Sequence, residues 1–117
     1  MKTINYLYRV NVIVKRAVLF YCDKYPAAKV ALLGWYKEFC DVNYKNFNEL
    51  KQVYGKASLV ANSRVIFNIK GNEFRLIVSV NFKQQAAYII WFGTHQQYDR
   101  INAAVIEFDI KILNYKS

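Results

Sequence analysis

Apolar residues recur at helical spacing through the first third of the chain. Val14, Ala17, Val18, Tyr21, Cys22 and Tyr25 fall at i, i+3, i+4, i+7, i+8 and i+11, which predicts one buried stripe on a helix from about Lys15 to Tyr25. Pro26 stops that helix and suits the first turn of the next, where Ala28, Leu32, Trp35 and Phe39 continue the spacing to about Cys40. Together they predict a helical hairpin whose aromatic stripe is a packing face. The stretch from Asp41 to Lys56 is polar and mixed, with room for a short helix over Asn46 to Tyr54.

From Arg64 the period becomes two, and β-branched and aromatic residues dominate as far as Phe92, the pattern of a β-meander. Gly71-Asn72 is a suitable two-residue hairpin turn, because glycine at the first central position accepts a positive φ. With that loop Ile69 faces Phe74, Phe67 faces Leu76 and Val65 faces Val78, while Lys70 meets Glu73, Asn68 meets Arg75 and Arg64 meets Ser79 on the other side. One face is then wholly apolar and the other mostly polar, and a slip of one residue would mix them. The next hairpin is expected to turn within Lys83 to Ala86 on a four-residue loop, pairing Val80 with Ile89, Val78 with Trp91 and Arg75 with Thr94. A shift of one residue would move Arg75 only to Gly93.

Thr94 followed by Gln97 is a capping-box pattern, so a short helix is expected to begin at His95 and run to about Ala104, with His95 and Tyr98 as i, i+3 neighbours on one face. The tail from Ala103 alternates apolar and charged residues; a further strand, a helix extension and a docked tail all fit it. The fold class is therefore α+β, with an N-terminal helical hairpin on an antiparallel meander and a short C-terminal helix.

At 117 residues the chain is expected to form one domain, which excludes a multidomain enzyme. Lys and Arg number 17 against 8 Asp and Glu, a formal +9 that draws polyanions toward the surface and makes nucleic acid or an acidic protein the natural partner. The two cysteines, Cys22 and Cys40, are too few for a disulfide framework and lack zinc-site spacing, so they read as reduced core thiols. Asn5, Arg9, Asn11, Lys15 and Arg16 interrupt the N-terminal apolar residues, and no segment has the apolar length to span a bilayer. The expected compartment is the cytoplasm, with no membrane partner.

The strand register brings Arg75 beside the helix start that carries His95 and Tyr98. Cutting RNA without a metal needs a base for the 2′-hydroxyl proton, a cation for the phosphate and an acid for the leaving 5′-oxygen. Arg75 suits the phosphate, with forked donors and a permanent charge. His95, the one histidine, has the side chain whose ordinary pKa lies near neutrality, and Tyr98 can orient or donate a proton. Lys45, Asn46, Lys51, Asn68 and Asn72 could hold the RNA backbone or unstacked bases, with Tyr44 or Phe47 for stacking. Each residue alone also has a structural reading: a packed histidine, a core tyrosine, a solvated arginine.

The run from Val65 through Gly71-Asn72-Glu73-Phe74-Arg75 to Leu76, followed by Gly93-Thr94-His95-Gln96-Gln97-Tyr98-Asp99-Arg100-Ile101, resembles the HigB-type toxins of the RelE superfamily. Lys24-Tyr25-Pro26, Trp35-Tyr36 and Tyr44-Lys45-Asn46-Phe47 also fit that pattern, and the similarity covers about Val12 to Ala104. The resemblance implies a RelE-like fold, a toxin that cleaves messenger RNA during translation on the ribosome by attack of the 2′-oxygen on the adjacent phosphate, no metal or other cofactor, and a cognate HigA-like helix-turn-helix antitoxin. By position Arg75, His95 and Tyr98 match the family's active-site residues, Asn72 its turn, and Lys45 an RNA contact. Tyr25 stands for the family's histidine, Lys70 for its first turn glycine, and Ile90 for an arginine usually found shortly before the threonine-histidine pair. Ile90 motivates the alternative reading, a weakened module of the same fold that binds RNA or an antitoxin without efficient cleavage. A third reading, a plain interaction domain, would follow if Arg75 and His95 lay on opposite sides of the sheet. Residues 1–11 and those after about Val105 extend past the usual boundaries and are candidates for self-association or antitoxin docking.

Overall fold

The computed structural model describes residues 15–115 apart from Asn62. Val14 and the extension 1–11 lie outside the described residues. Residues 15–24 form helix α1 and bury Ala17, Val18, Tyr21 and Cys22, the expected stripe. A 3-10 turn at Pro26–Ala28 leads into α2 (Lys29–Cys40), which buries Leu32, Trp35, Phe39 and Cys40. Helix α3 (Phe47–Val53) starts where Asn46, in extended backbone, accepts the Glu49 N–H on its side-chain oxygen. Both cysteines are buried free thiols.

Four antiparallel strands follow in chain order: β1 (Ser58–Val60), β2 (Arg64–Ile69), β3 (Phe74–Asn81) and β4 (Ala86–Thr94). Strand β1 was not anticipated, because its three residues are exposed or half-buried and show no alternation. The β2–β3 register is the expected one at every pair, from Ile69 with Phe74 to Arg64 with Ser79. Lys70 and Gly71 take φ of 56° and 63° in the turn, and Lys70 lies 3.7 Å from Glu73. The apolar face packs on the helices: the Trp35 and Phe39 rings lie 5.3 and 5.8 Å from Phe67, and Tyr21 and Tyr25 lie 5.8 and 5.7 Å from Phe92.

The second hairpin corrects the expected register. Asn81 pairs with Ala86, so the four-residue loop comes one position earlier than Lys83 to Ala86. Gln85 fixes it there: at φ 53° its amide donates to the carbonyls of Phe82 and Tyr44. Val80 therefore meets Ala87 and Val78 meets Ile89, until a bulge opposite Ile77/Val78 shifts the ladder by one; beyond it Ile77 meets Trp91 and Arg75 meets Gly93, with Thr94 opposite Phe74.

The bulge turns Trp91 onto the outer face opposite Ile77, beside Ile90, which the expected register already sets on that face. Ile90 is 2% exposed, packed with Ile66 and Ile77 in a second small core. Helix α4 (His95–Tyr98) ends well before Ala104, because the next residues turn onto this core: Ile101, Ala103, Ile106 and Phe108 lie against it, and Arg64 donates to the carbonyls of Ala103 and Ile106 at 2.9 and 2.8 Å. The tail is thus a docked strap. It passes Tyr88 at the β4 edge with Phe108, makes a 3-10 turn at Ile110–Asn114 and buries Ile112 among the main-core residues. Arg16 donates to the Leu113 carbonyl at 2.6 Å, and Tyr115 donates its hydroxyl proton to Asp23 and sets its ring edge-on to Phe20. Among the described residues no helix is long and apolar enough to cross a membrane.

Candidate functional site

Arg75, Asn68 and Asn72 lie at one end of the outer face of the sheet, around the β2–β3 turn and near the start of α4, while Arg64 at the other end is spent on the strap. Arg75 is half-buried on β3, paired with Asn68 on one side and Gly93 on the other. Its guanidinium is held against the turn: Nη1 donates to the carbonyls of Asn72 at 3.0 Å and Phe74 at 3.2 Å, and Nη2 donates to Asn72 Oδ1 at 3.0 Å. Asn72 Oδ1 also accepts Asn68 Nδ2 at 3.4 Å.

The ladder continues one step past β4, where the His95 N–H donates to the Glu73 carbonyl at 2.9 Å. The His95 backbone is therefore in register with Glu73, two positions along from Gly93, the partner of Arg75. Such diagonal neighbours lie about 7–8 Å apart along the backbone. Tyr98 follows one helical turn later, its ring 6.2 Å from that of Trp91.

Helix α4 is only four residues long and is fixed by contacts at its start. Thr94 Oγ1 accepts the Gln97 N–H at 3.2 Å, and Gln97 Oε1 accepts both the Thr94 N–H and the Tyr25 hydroxyl at 2.9 Å. The capping box is the one the sequence predicts; the link to Tyr25, 72 positions away, is not legible in it. Gly93 makes the arrangement possible, since a Cβ there would sit 2.6 Å from Gln97 Oε1 and 2.7 Å from the Trp91 ring.

The proposed RNA contacts divide. Asn68 and Asn72 stand beside Arg75. Lys51 donates to the Ala57 carbonyl at 2.7 Å, and Ala57, Asn68, Tyr54 and Gly71 line an open cleft of about 260 Å³ beside the hairpin. Lys45 and Asn46 sit at the opposite end of α3, exposed, with Asn46 engaged as its cap. The two stacking candidates are taken up by the fold: Tyr44 is buried and stacks on Phe39 at 5.7 Å, and Phe47 packs against the core. A second open cleft, of about 420 Å³, lies on the α1 side of α4 between Lys24, Tyr25, Gln97 and the strap. Burial raises the pKa of Tyr21, Tyr44 and Tyr54, and it pushes Tyr36 up to about 12 and Cys40 up to about 11; none of these belongs to the Arg75 cluster. Among the described residues no group of histidine, cysteine and carboxylate side chains is placed to hold a metal.

The family described as HigB toxin, the RelE-like toxic component of a toxin-antitoxin system, matches residues 28–101. The chain belongs to the HigB toxin family. Among curated HigB proteins, the mRNA interferase toxin HigB of Escherichia coli (strain K12) is 28% identical over 95 residues, which cover 80% of this chain and 91% of that protein. The mRNA interferases HigB of Escherichia coli O157:H7 and Shigella flexneri give the same figures. The HigB match takes in the hairpin, Arg75, His95 and Tyr98 and stops at residue 101, so the strap lies beyond it.

Proposed function

We propose that this HigB-family toxin is a metal-independent endoribonuclease that cleaves messenger RNA, in the cytoplasm and on the translating ribosome, and that a HigA-like antitoxin neutralises it. The observation that supports this reading is the register of β3 against β4 and α4, with Arg75 across from Gly93 and the His95 N–H bonded to the Glu73 carbonyl, so that the backbones carrying a permanent cation and an imidazole meet at one end of the sheet. The names of the 28% identical relatives support the reaction class.

In this mechanism the ribose 2′-oxygen attacks phosphorus as its proton leaves to a base, and the bond to the 5′-oxygen breaks as that oxygen gains a proton. His95 acts as general acid or base, each such transfer being worth about 10²–10⁴-fold. Arg75 grips the scissile phosphate and stabilises its developing charge, a contribution of about 10²–10³-fold. Tyr98 orients or donates a proton. Lys45, Asn46, Lys51 and Asn68 are the proposed RNA contacts.

Purified protein incubated with ribosome-bound messenger in magnesium buffer, with and without a chelator selective for transition metals, tests the proposal. Cleavage that falls at least tenfold in Arg75→Ala and His95→Ala supports it; no cleavage, or cleavage indifferent to both changes, refutes it. The burial of Ile90, where a cation is expected in the family, favours a second reading as a binding module. Induced expression separates the two, since growth arrest relieved by the neighbouring gene belongs to an active toxin.

A further inference from the structure

Resting on the nuclease reading above, we infer that Asn72 is a positioning residue: it sets the Arg75 guanidinium for phosphate and acts through Arg75, not by touching RNA. A guanidinium carries five N–H donors in a fixed fork. Asn72 takes the outer edge, with its carbonyl accepting from Nη1 and its Oδ1 accepting from Nη2, both at 3.0 Å, while Phe74 accepts the remaining Nη1 hydrogen at 3.2 Å. What is left among the described residues is the Nε–H and one Nη2 hydrogen. These two are parallel and adjacent, the pair that binds two oxygens of one phosphate. The side chain is therefore fixed with its phosphate-binding edge unspent.

The hairpin makes this possible. Lys70 and Gly71 at positive φ turn the chain tightly enough for Asn72, three residues before Arg75, to present its carbonyl and side chain to one planar group. Asn68 donates to the same Oδ1 at 3.4 Å, which fixes the amide with its oxygen toward Arg75. With Oδ1 engaged twice and the carbonyl spent on its neighbour, Asn72 keeps only its amide hydrogens for RNA, and a contact through these would show as a loss that persists in the Arg75→Ala background.

The test is a double-mutant cycle on the full chain. Cleavage is measured with ribosome-bound messenger RNA, and binding with the same ribosome-bound RNA carrying a 2′-O-methyl at the cut site. Asn72→Ala should weaken binding about 3- to 10-fold, the cost of immobilising one long side chain that is no longer held in place. Arg75→Ala should weaken it more, and Asn72→Ala should add nothing in the Arg75→Ala background. Losses that multiply in the double variant, or no loss in Asn72→Ala, overturn the inference. An RNA-free readout accompanies the cycle. Rotation about the Arg75 Cζ–Nη bonds, followed by ¹⁵N NMR, should be slow in the native chain and in Asn72→Asp, which keeps the acceptor, and fast in Asn72→Ala; equal rates in all three also overturn it. If the native chain binds the methylated RNA with this pattern but cuts nothing, the nuclease reading falls and the positioning role stands. If it neither cuts nor binds, both fall.

Discussion

Ile90→Arg would return a cation to the position where the family resemblance expects one, and the structure says that this chain will not tolerate it. Ile90 is 2% exposed, packed on Ile66 and Ile77 beneath the strap. The substitution forfeits the burial of one aliphatic side chain, about 1.5–3 kcal/mol. The guanidinium must then either stay unpaired in the small core, at about 3–5 kcal/mol by analogy with broken buried pairs, or escape to water by lifting the strap. Lifting it gives up the contacts of Ala103 and Ile106 and two hydrogen bonds from Arg64, each about 1.5–3 kcal/mol because the donor is charged. Both routes are costly, so with the lost burial the expected destabilisation is at least about 4.5 kcal/mol, a large share of the 5–15 kcal/mol typical of a domain. Urea denaturation should show a midpoint lower by about 2 M at ordinary slopes, and native-state trypsin should cut at Lys111 faster than in the unaltered chain. A variant within about 0.5 kcal/mol of the original, with Lys111 equally protected, would refute the account of the second core.

Three further outcomes follow from the same geometry. Lys70→Gly relieves a left-handed residue at φ 56°, worth about 1–2 kcal/mol, against about 0.4–1 kcal/mol of added chain entropy; the exposed pair with Glu73 adds little, so the melting temperature should rise, and a fall would count against the strain. Gly93→Ala forces a Cβ onto Gln97 Oε1 and the Trp91 ring, so it should cost about 0.5–2 kcal/mol through the lost cap and lower cleavage with it; unchanged stability and activity would show that Gln97 is not the anchor of α4. Alkaline pH should unfold the chain, because burial holds the Cys40 thiol at about 11 against 9.0 and the Tyr36 phenol at about 12 against 10.0, with Tyr21 and Tyr54 also raised. Groups kept neutral in the folded state stabilise it fully below their unfolded values, so stability should be flat to about pH 9 and fall as pH rises toward 11 and 12; a denaturation midpoint that is constant through pH 11 would refute this.

The parts of the fold legible in the sequence are those governed by local periodicity. The stripe from Ala17 to Phe39 and the alternation from Arg64 to Ser79 each have one solution that hides apolar residues, and the turn at Gly71 fixes the count between them. The second hairpin was not legible to the residue, because Gln84-Gln85 has no turn preference and the position is set by the Gln85 amide bonding the carbonyl of Tyr44, 41 residues away. Ile90 shows the same limit: alternation alone sets it on the outer face, but the cover that buries it lies past residue 100. At the site, the capping box of α4 and the closeness of Arg75 to His95 could be counted from the strands. The grip of Asn72 on Arg75 and that of Tyr25 on Gln97 could not, since they depend on where side-chain oxygens point.

The strap also ties the two ends of the described chain together. Arg16 at the start of α1 meets the carbonyl of Leu113, while Tyr25 at the far end of that helix reaches α4, about 14 Å away at 1.5 Å per residue. The first and last described residues are thus brought together at the start of α1, away from the contact of Tyr25 with α4. Joining Lys15 to Tyr115 through a short glycine-serine bridge, with new termini opened between the exposed Lys83 and Gln84, should give a circular permutant that keeps the cluster intact. A reporter fused at those new termini would sit at the end of β3 away from Arg75.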